Sequence, residues 1–257
     1  MSFAQRSGSG GSLGFLLSMG FTSLWCSPFC GILGWKGGEN IMSLAITLAN
    51  QYGIVMSADR RLTTTVTDEK TKENESFILT EHEQKIFLTN SGHGITYTGA
   101  SSLENGEKTS CIIRNLLAGL APTLTIEEEL RSVRERLQSV ADKRNVILIG
   151  AAIANNHRCV FSTSLISDEL TDHISTDESC LSFSGESGTI RKLTDMFPVN
   201  FSAFPLQESI NYLRFLTRSV AGLQHYAQMN QTVSEDCDVL VIRDSGAQWI
   251  TSPDILR

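Results

Sequence analysis

From residue 43 onward, apolar and polar positions alternate in short, bounded bursts. Residues 44–49 and 54–58 are two compact apolar runs, split by Gly53 and closed by Asp59, Arg60 and Arg61. Runs of this length between turn residues read as buried strands. They predict a pair over residues 43–50 and 53–59, joined at Gln51-Tyr52-Gly53. Residues 67–83, TDEKTKENESFILTEHE, are polar and charge-rich. They read as a solvated loop or the tip of an extended hairpin. Residues 85–89, KIFLT, and 94–100, GITYTGA, read as another hairpin around Ser91-Gly92.

At Ser102 the period changes from that of a strand to that of a helix. Leu103, Cys111, Ile112, Leu116 and Leu117 suit a helix packed on a sheet. Thr125 and Glu128 have the spacing of a capping box at the start of a second helix. That helix is expected to run to about residue 144, with Leu130, Val133, Leu137 and Val140 on one face. Strands are predicted again at residues 146–154, 159–164 and 180–184. Residues 185–188 open a helix over 189–196, and 206–229 is a long amphipathic helix. A last hairpin is predicted at 237–243 and 248–251. Strands and helices come in separate runs, which predicts α+β layering around one core instead of a doubly wound sheet.

Composition narrows the function classes. A hydrophobic fraction of 41% with 19% charged residues fits an ordinary globular domain. A net charge of −7 argues against a nucleic-acid binder, which would present a basic face. Cys26, Cys30, Cys111, Cys159, Cys180 and Cys237 include no Cys-x-x-Cys motif. They read as reduced thiols of a cytoplasmic protein, and not as a zinc or disulfide framework. The five histidines, His82, His93, His157, His173 and His225, show no metal-ligand spacing.

The first 41 residues are different material. No charge occurs between Arg6 and Lys36, and residues 13–35 are mostly apolar. A signal peptide or membrane anchor is one reading, and a propeptide is another. A third explains the composition differently. Lys36-Gly37-Gly38-Glu39 can be encoded by AAA-GGA-GGA-GAA, which contains a purine-rich ribosome-binding sequence just upstream of the Met42 codon. On this reading Met42 is the true start, residues 1–41 are translated leader, and the protein is cytoplasmic without membrane association. The division is then a leader over 1–42 and one domain over 43–257.

The order of elements and several short motifs resemble the proteasome β subunits and the bacterial proteasome-like peptidase HslV. GIVMSADRRLT looks like that family's second strand and Asp-x-Arg turn, and KIFLT like the strand bearing its lysine. GITYTGASS looks like the strand that ends in its oxyanion glycine. SFSGESG resembles the glycine- and serine-rich turn before its third helix, and DCDVLVI its late strand. The resemblance spans roughly residues 43–251. It implies a four-layer αββα sandwich and an N-terminal-nucleophile (Ntn) hydrolase.

In that family the nucleophile is the first residue of the mature chain, sixteen positions before the aspartate of the second strand. Here that residue is Ser43, directly after Met42. Serine is small enough for the initiator methionine to be removed. A hydroxyl is a poor nucleophile until a base takes its proton. A free α-amino group, titrating near ~7.7–8.0, is such a base. The resemblance further implies that Lys85 lowers the amine or hydroxyl pKa and that Asp59 holds Lys85. It places the Gly99 N–H at the developing oxyanion, Ser187 and Ser234 in supporting serine roles, and Thr63 and Tyr97 against substrate. For Thr63 the alternative is plain β propensity, and for Tyr97 it is core packing. No metal or organic cofactor is required by this chemistry.

The chain departs from the family in several places. The nucleophile is serine where threonine is usual. The turn MNQTVSEDCD has Asn230 near the place of an expected aspartate, and the segment between Arg61 and Lys85 is longer than usual. Three functions are compatible with the sequence. They are a peptidase acting on peptide or amide substrate, a small-molecule amidohydrolase, and a non-catalytic structural subunit. The resemblance also implies a homo-oligomer, with the predicted helices over 102–119 and 125–144 as an interface. Any ATPase partner would be a separate chain, since no ATPase motif is present.

Overall fold

The computed structural model describes residues 43–67, 74–103, 106–140, 145–167, 169–174, 179–227 and 229–250. The leader expected over residues 1–42 lies outside the described residues.

Two antiparallel sheets stack face to face. The first has the order β10-β1-β2-β11-β12, built from β1 (Leu44–Asn50), β2 (Gly53–Asp59), β10 (Cys180–Gly185), β11 (Cys237–Arg243) and β12 (Gly246–Ile250). The second has the order β5-β6-β7-β8-β9, from β5 (Ile86–Leu88), β6 (Gly94–Gly99), β7 (Val146–Ala154), β8 (His157–Ser164) and β9 (Thr171–Asp172). A separate two-stranded ribbon pairs β3 (Leu62–Thr67) with β4 (Asn74–Thr80). Helices α1 (Thr109–Gly119) and α2 (Ile126–Gln138) cover the second sheet. Helices α3 (Ser187–Met196) and α4 (Leu206–Tyr226) cover the first. The result is the expected αββα sandwich.

Alternation along each strand builds three cores from one chain. In β1 every residue is buried. Leu44, Ile46 and Leu48 pack under α3 and α4, while Ala45 and Ala49 face the second sheet. Large side chains fill the helix-facing layers, and small ones on this strand let the two sheets approach. On the far side, Tyr97, Leu148, Leu130 and Val133 form the core under α1 and α2. The predicted capping box is present: Thr125 Oγ1 accepts from the Glu128 N–H, and the Glu128 carboxylate accepts from the Thr125 N–H. At the opposite end of the first sheet, buried Asn50 donates to the carbonyls of Phe201 and Phe204 and to Ser209 Oγ. This ties the β1–β2 turn to the start of α4.

The element boundaries need several corrections; the long helix expected over 206–229, for one, ends at Tyr226. The first helix starts at Thr109, seven residues later than the periodicity predicts. Leu103 precedes it in a loop yet is buried, and burial alone produced the helical signal. The second helix ends at Gln138, and residues 141–144 lie outside the described residues. The polar stretch over 67–83 contains strand β4, whose Phe77, Ile78 and Leu79 are all exposed. With these three successive apolar side chains all exposed, there is no buried/exposed alternation over 77–79 to read. Strand β9, of two residues, is too short for any periodicity. Among the described residues, no helix is long and apolar enough to cross a membrane.

Candidate active site

Asp59, the last residue of β2, is the centre of the candidate site; its side chain is fully buried. Its Oδ1 accepts from Ser43 Oγ at 3.3 Å, from the Leu44 N–H at 2.8 Å and from Lys85 Nζ at 2.8 Å. Its Oδ2 accepts from the Arg61 N–H at 2.9 Å and the Ser234 N–H at 3.4 Å. A buried carboxylate is tolerated only when its lone pairs are occupied and its charge is balanced. Both conditions hold here, and they draw four separate segments of the chain onto one side chain.

Lys85 enters immediately before β5 and is buried. Its ammonium also donates to the Arg61 carbonyl at 2.6 Å. The Asp59-Arg60-Arg61 turn thus presents a carboxylate and a carbonyl to the same cation. The turn is itself braced. Arg60 pairs with Asp238, and its N–H donates to Ser234 Oγ at 3.0 Å. Arg61 pairs with Glu81 and donates to the Gln231 carbonyl.

Register fixes the rest. Leu44 lies opposite Gly185 in the β1–β10 ladder, and one step further the Glu186 N–H donates to the Ser43 carbonyl at 3.1 Å. Gly185 has a φ of +92°, and a Cβ there would collide with the Ser43 carbonyl. Only glycine permits the chain to pass so close to residue 43. The two sheets are joined beside this point by a 2.7 Å hydrogen bond between Thr98 and Ser184. Gly99 follows Thr98 directly, so β6 ends next to the Ser43 end of β1. Its φ is +106°, and a Cβ would strike the Asn145 carbonyl.

Five of the residues singled out in the sequence therefore meet at one end of the sandwich: Ser43, Asp59, Lys85, Gly99 and Ser234. Ser234 braces the Asp59 turn through its N–H and its hydroxyl, which donates to the Asp236 carbonyl at 2.6 Å. Ser187 is the first residue of α3, and among the described residues no hydrogen bond joins it to Asp59 or Ser43. The hydroxyl from that turn which reaches across the sheets is Ser184. Thr63 is buried at the root of the ribbon, beside an irregularity in the β3–β4 pairing. Tyr97 takes the packing position. Only 2% exposed, it stacks on Phe87 in the core under α1 and α2. Burial, with the nearby Glu83 charge, pushes its phenol well above the ordinary tyrosine range. Its hydroxyl lies beside Ser110 and Glu83 without a well-formed hydrogen bond.

Sequence reasoning passed over Ser184, Thr98 and Glu186. Ser184 and Glu186 lay within the quoted SFSGESG, but a motif cannot tell which serine points across a sheet–sheet gap.

No protein-family profile and no curated protein matches the sequence. Among solved structures the chain is similar to an Anbu (Gly-1) mutant from Hyphomicrobium sp. strain MC1. The TM-score is 0.55 with 12% identity, over 82% of this chain and 88% of that one. At that identity the likeness concerns the fold: this chain has a proteasome-like αββα architecture.

Proposed function

We propose that this protein is an Ntn hydrolase of the peptidase type, active once Ser43 is its N-terminal residue. The observation that carries this reading is the shared oxygen of Asp59, which holds both the Ser43 hydroxyl and the Lys85 ammonium. Because the Lys85 ammonium shares that oxygen, the carboxylate beside the Ser43 hydroxyl carries no uncompensated charge to oppose negative charge developing on Oγ. In the proposed reaction the free Ser43 amine accepts the hydroxyl proton, and Oγ attacks the amide carbon. The proton then passes to the leaving amine, and water hydrolyses the resulting ester to free Ser43. Lys85 offsets the Asp59 charge next to Oγ, and Asp59 holds Lys85 in place. Gly99, whose backbone no side chain can crowd, supplies the N–H that meets the oxyanion.

The precondition is chemical. With residue 42 attached, the Ser43 nitrogen is an amide and has no basicity. The exposed faces of α1 and α2 are where assembly into a homo-oligomer is expected, and any unfolding ATPase would be a separate protein.

The test starts from protein expressed from Met42, with the mature N-terminus read by intact mass. A chain beginning at Ser43 is expected to cleave amide substrates, and Ser43→Ala to lose on the order of 10³-fold or more of the rate. A Ser43-initiated protein without amidase or esterase activity on a broad peptide panel would remove the catalytic reading and leave the fold.

A further inference from the structure

Glu186 occupies the N-cap position of α3 but makes no side-chain bond to the helix. A residue there ordinarily directs its side chain to the helix's own free N–H groups. Glu186 instead accepts from Thr232 Oγ1 at 3.2 Å, across to the loop that precedes β11. Its own N–H meanwhile holds the Ser43 carbonyl at 3.1 Å.

The direction of the hydrogen bonds behind Thr232 is forced. Buried Gln224, on α4, accepts at Oε1 from the N–H groups of Thr232 and Val233, at 2.9 and 3.0 Å. That fixes which end of the amide is oxygen. Its Nε2 must then donate to Thr232 Oγ1, at 2.8 Å. The threonine hydroxyl has a single hydrogen, and among the described residues the acceptor it reaches is Glu186. The next residue but one after Thr232 is Ser234, whose N–H reaches Asp59. Asp59 in turn accepts from the Ser43 hydroxyl.

We propose that Glu186 is a positioning residue for the Ser43 nucleophile: its carboxylate anchors Thr232, the backbone from Thr232 carries Ser234 to Asp59, Asp59 accepts from the Ser43 hydroxyl, and the Glu186 N–H holds the Ser43 carbonyl. Residue 43 is thereby held at its hydroxyl through Asp59 and at its carbonyl through the Glu186 N–H, which couples the orientation of the hydroxyl to the Asp59 turn. The geometry asks Glu186 for an acceptor, not for a proton. Burial pushes its carboxyl up from the ordinary carboxylate range, and the Thr232 and Gln224 bonds oppose that rise. This inference rests on the reading of Ser43 as nucleophile.

The test uses the Ser43-initiated chain and a peptidyl α′,β′-epoxyketone, an electrophile that needs a hydroxyl and a free amine on one residue. Labelling is followed by intact mass, separating the maximal rate from the half-saturating concentration, with near-UV circular dichroism as the check on folding. Glu186→Ala is expected to lower the maximal labelling rate by about 10²-fold, the scale of a small misplacement, with half-saturation unchanged. Thr232→Val should lose a similar factor, and the double variant should lose no more than either alone. Glu186→Gln, which keeps the acceptor, should recover most of the rate.

Glu186→Ala labelled at the wild-type rate overturns the inference, as do losses that multiply in the double variant or a Glu186→Gln protein as slow as the alanine. If Glu186→Ala fails to fold, Thr232→Val and Glu186→Gln decide by the same criteria. A wild-type protein that takes no label overturns the nucleophile reading, and this inference with it. A labelled wild type with an unaffected Glu186→Ala removes this inference alone.

Discussion

Two carboxylates, Asp59 and Glu129, are withdrawn completely from solvent, and each has a basic partner. Glu129 lies on α2 and accepts from Ser91 Oγ at 2.8 Å, with His93 Nδ1 at 3.0 Å from its other oxygen. Its two partners come from one loop, between β5 and β6. The partners of Asp59 come from the start of β1, its own turn, the start of β5 and the loop before β11. One carboxylate staples a loop to a helix; the other joins four segments that are distant in sequence. Burial and charge pairing are common to both and do not mark a site. What differs is that the Asp59 cluster ends on a hydroxyl at the head of a strand, beside a close backbone passage at Gly185.

Substitution at Lys85 should separate the two regions most sharply. Lys85→Ala leaves the Asp59 charge buried and uncompensated and removes the cation beside Ser43. Epoxyketone labelling of the Ser43-initiated chain should fall by on the order of 10³-fold or more. Stability, read from the urea midpoint, should fall by about 3–5 kcal/mol. Labelling near the wild-type rate would show that Lys85 is only structural.

Asp59→Asn comes next. It keeps the shape but leaves Lys85 without its counter-charge and offers one acceptor oxygen fewer. A loss of about 3 kcal/mol is expected in denaturant titration, together with a large fall in labelling. Glu129→Gln should behave otherwise: about 1–3 kcal/mol less stable, with labelling per folded molecule unchanged. If both variants depressed labelling equally, the distinction between staple and site would collapse.

The smallest effect concerns pH. His173 is buried between the sheets, where its Nε2 meets Ser162 Oγ at 2.7 Å. Burial lowers its pKa, and the Asp172 charge opposes this without cancelling it. The unfolded chain therefore takes up the proton first, near the ordinary histidine value of about 6.5. Stability from neutral His173 is fully present above that pH. It is lost as pH falls toward the lowered folded value, by at most about 1.4 kcal/mol per pH unit. His173→Gln should remove that limb from a plot of urea midpoint between pH 8 and 5. An unchanged slope would mean that the ring is protonated in the folded state as easily as in the unfolded one.

Legibility followed burial. Strands β1, β2, β7 and β11 are two-sided or nearly so, and their dense apolar runs were readable to within a residue. Strand β4 was not, because all three of its central apolar side chains face solvent. The candidate site divides in the same way. Ser43, Asp59, Lys85, Gly99 and Ser234 converge at one end of the sandwich, although only the family resemblance had connected them. Ser187 was singled out where Ser184 and Glu186 make the contacts. A turn containing two serines, two glycines and a glutamate does not reveal which side chain crosses the sheets, since Gly185 redirects the chain within it.

By itself the sequence determined the apolar runs that place β1, β2, β7 and β11 in the cores, the Thr125–Glu128 cap, and the chemical types available for a site. Those depend on periodicity and local hydrogen bonding, which a linear pattern carries. Tertiary structure decided the rest: that Asp59 gathers donors from four segments, that Tyr97 is packing, and that Gln224 aims the Thr232 hydroxyl at Glu186. These outcomes depend on which buried polar atoms are left to satisfy once the layers close. That count exists only in three dimensions.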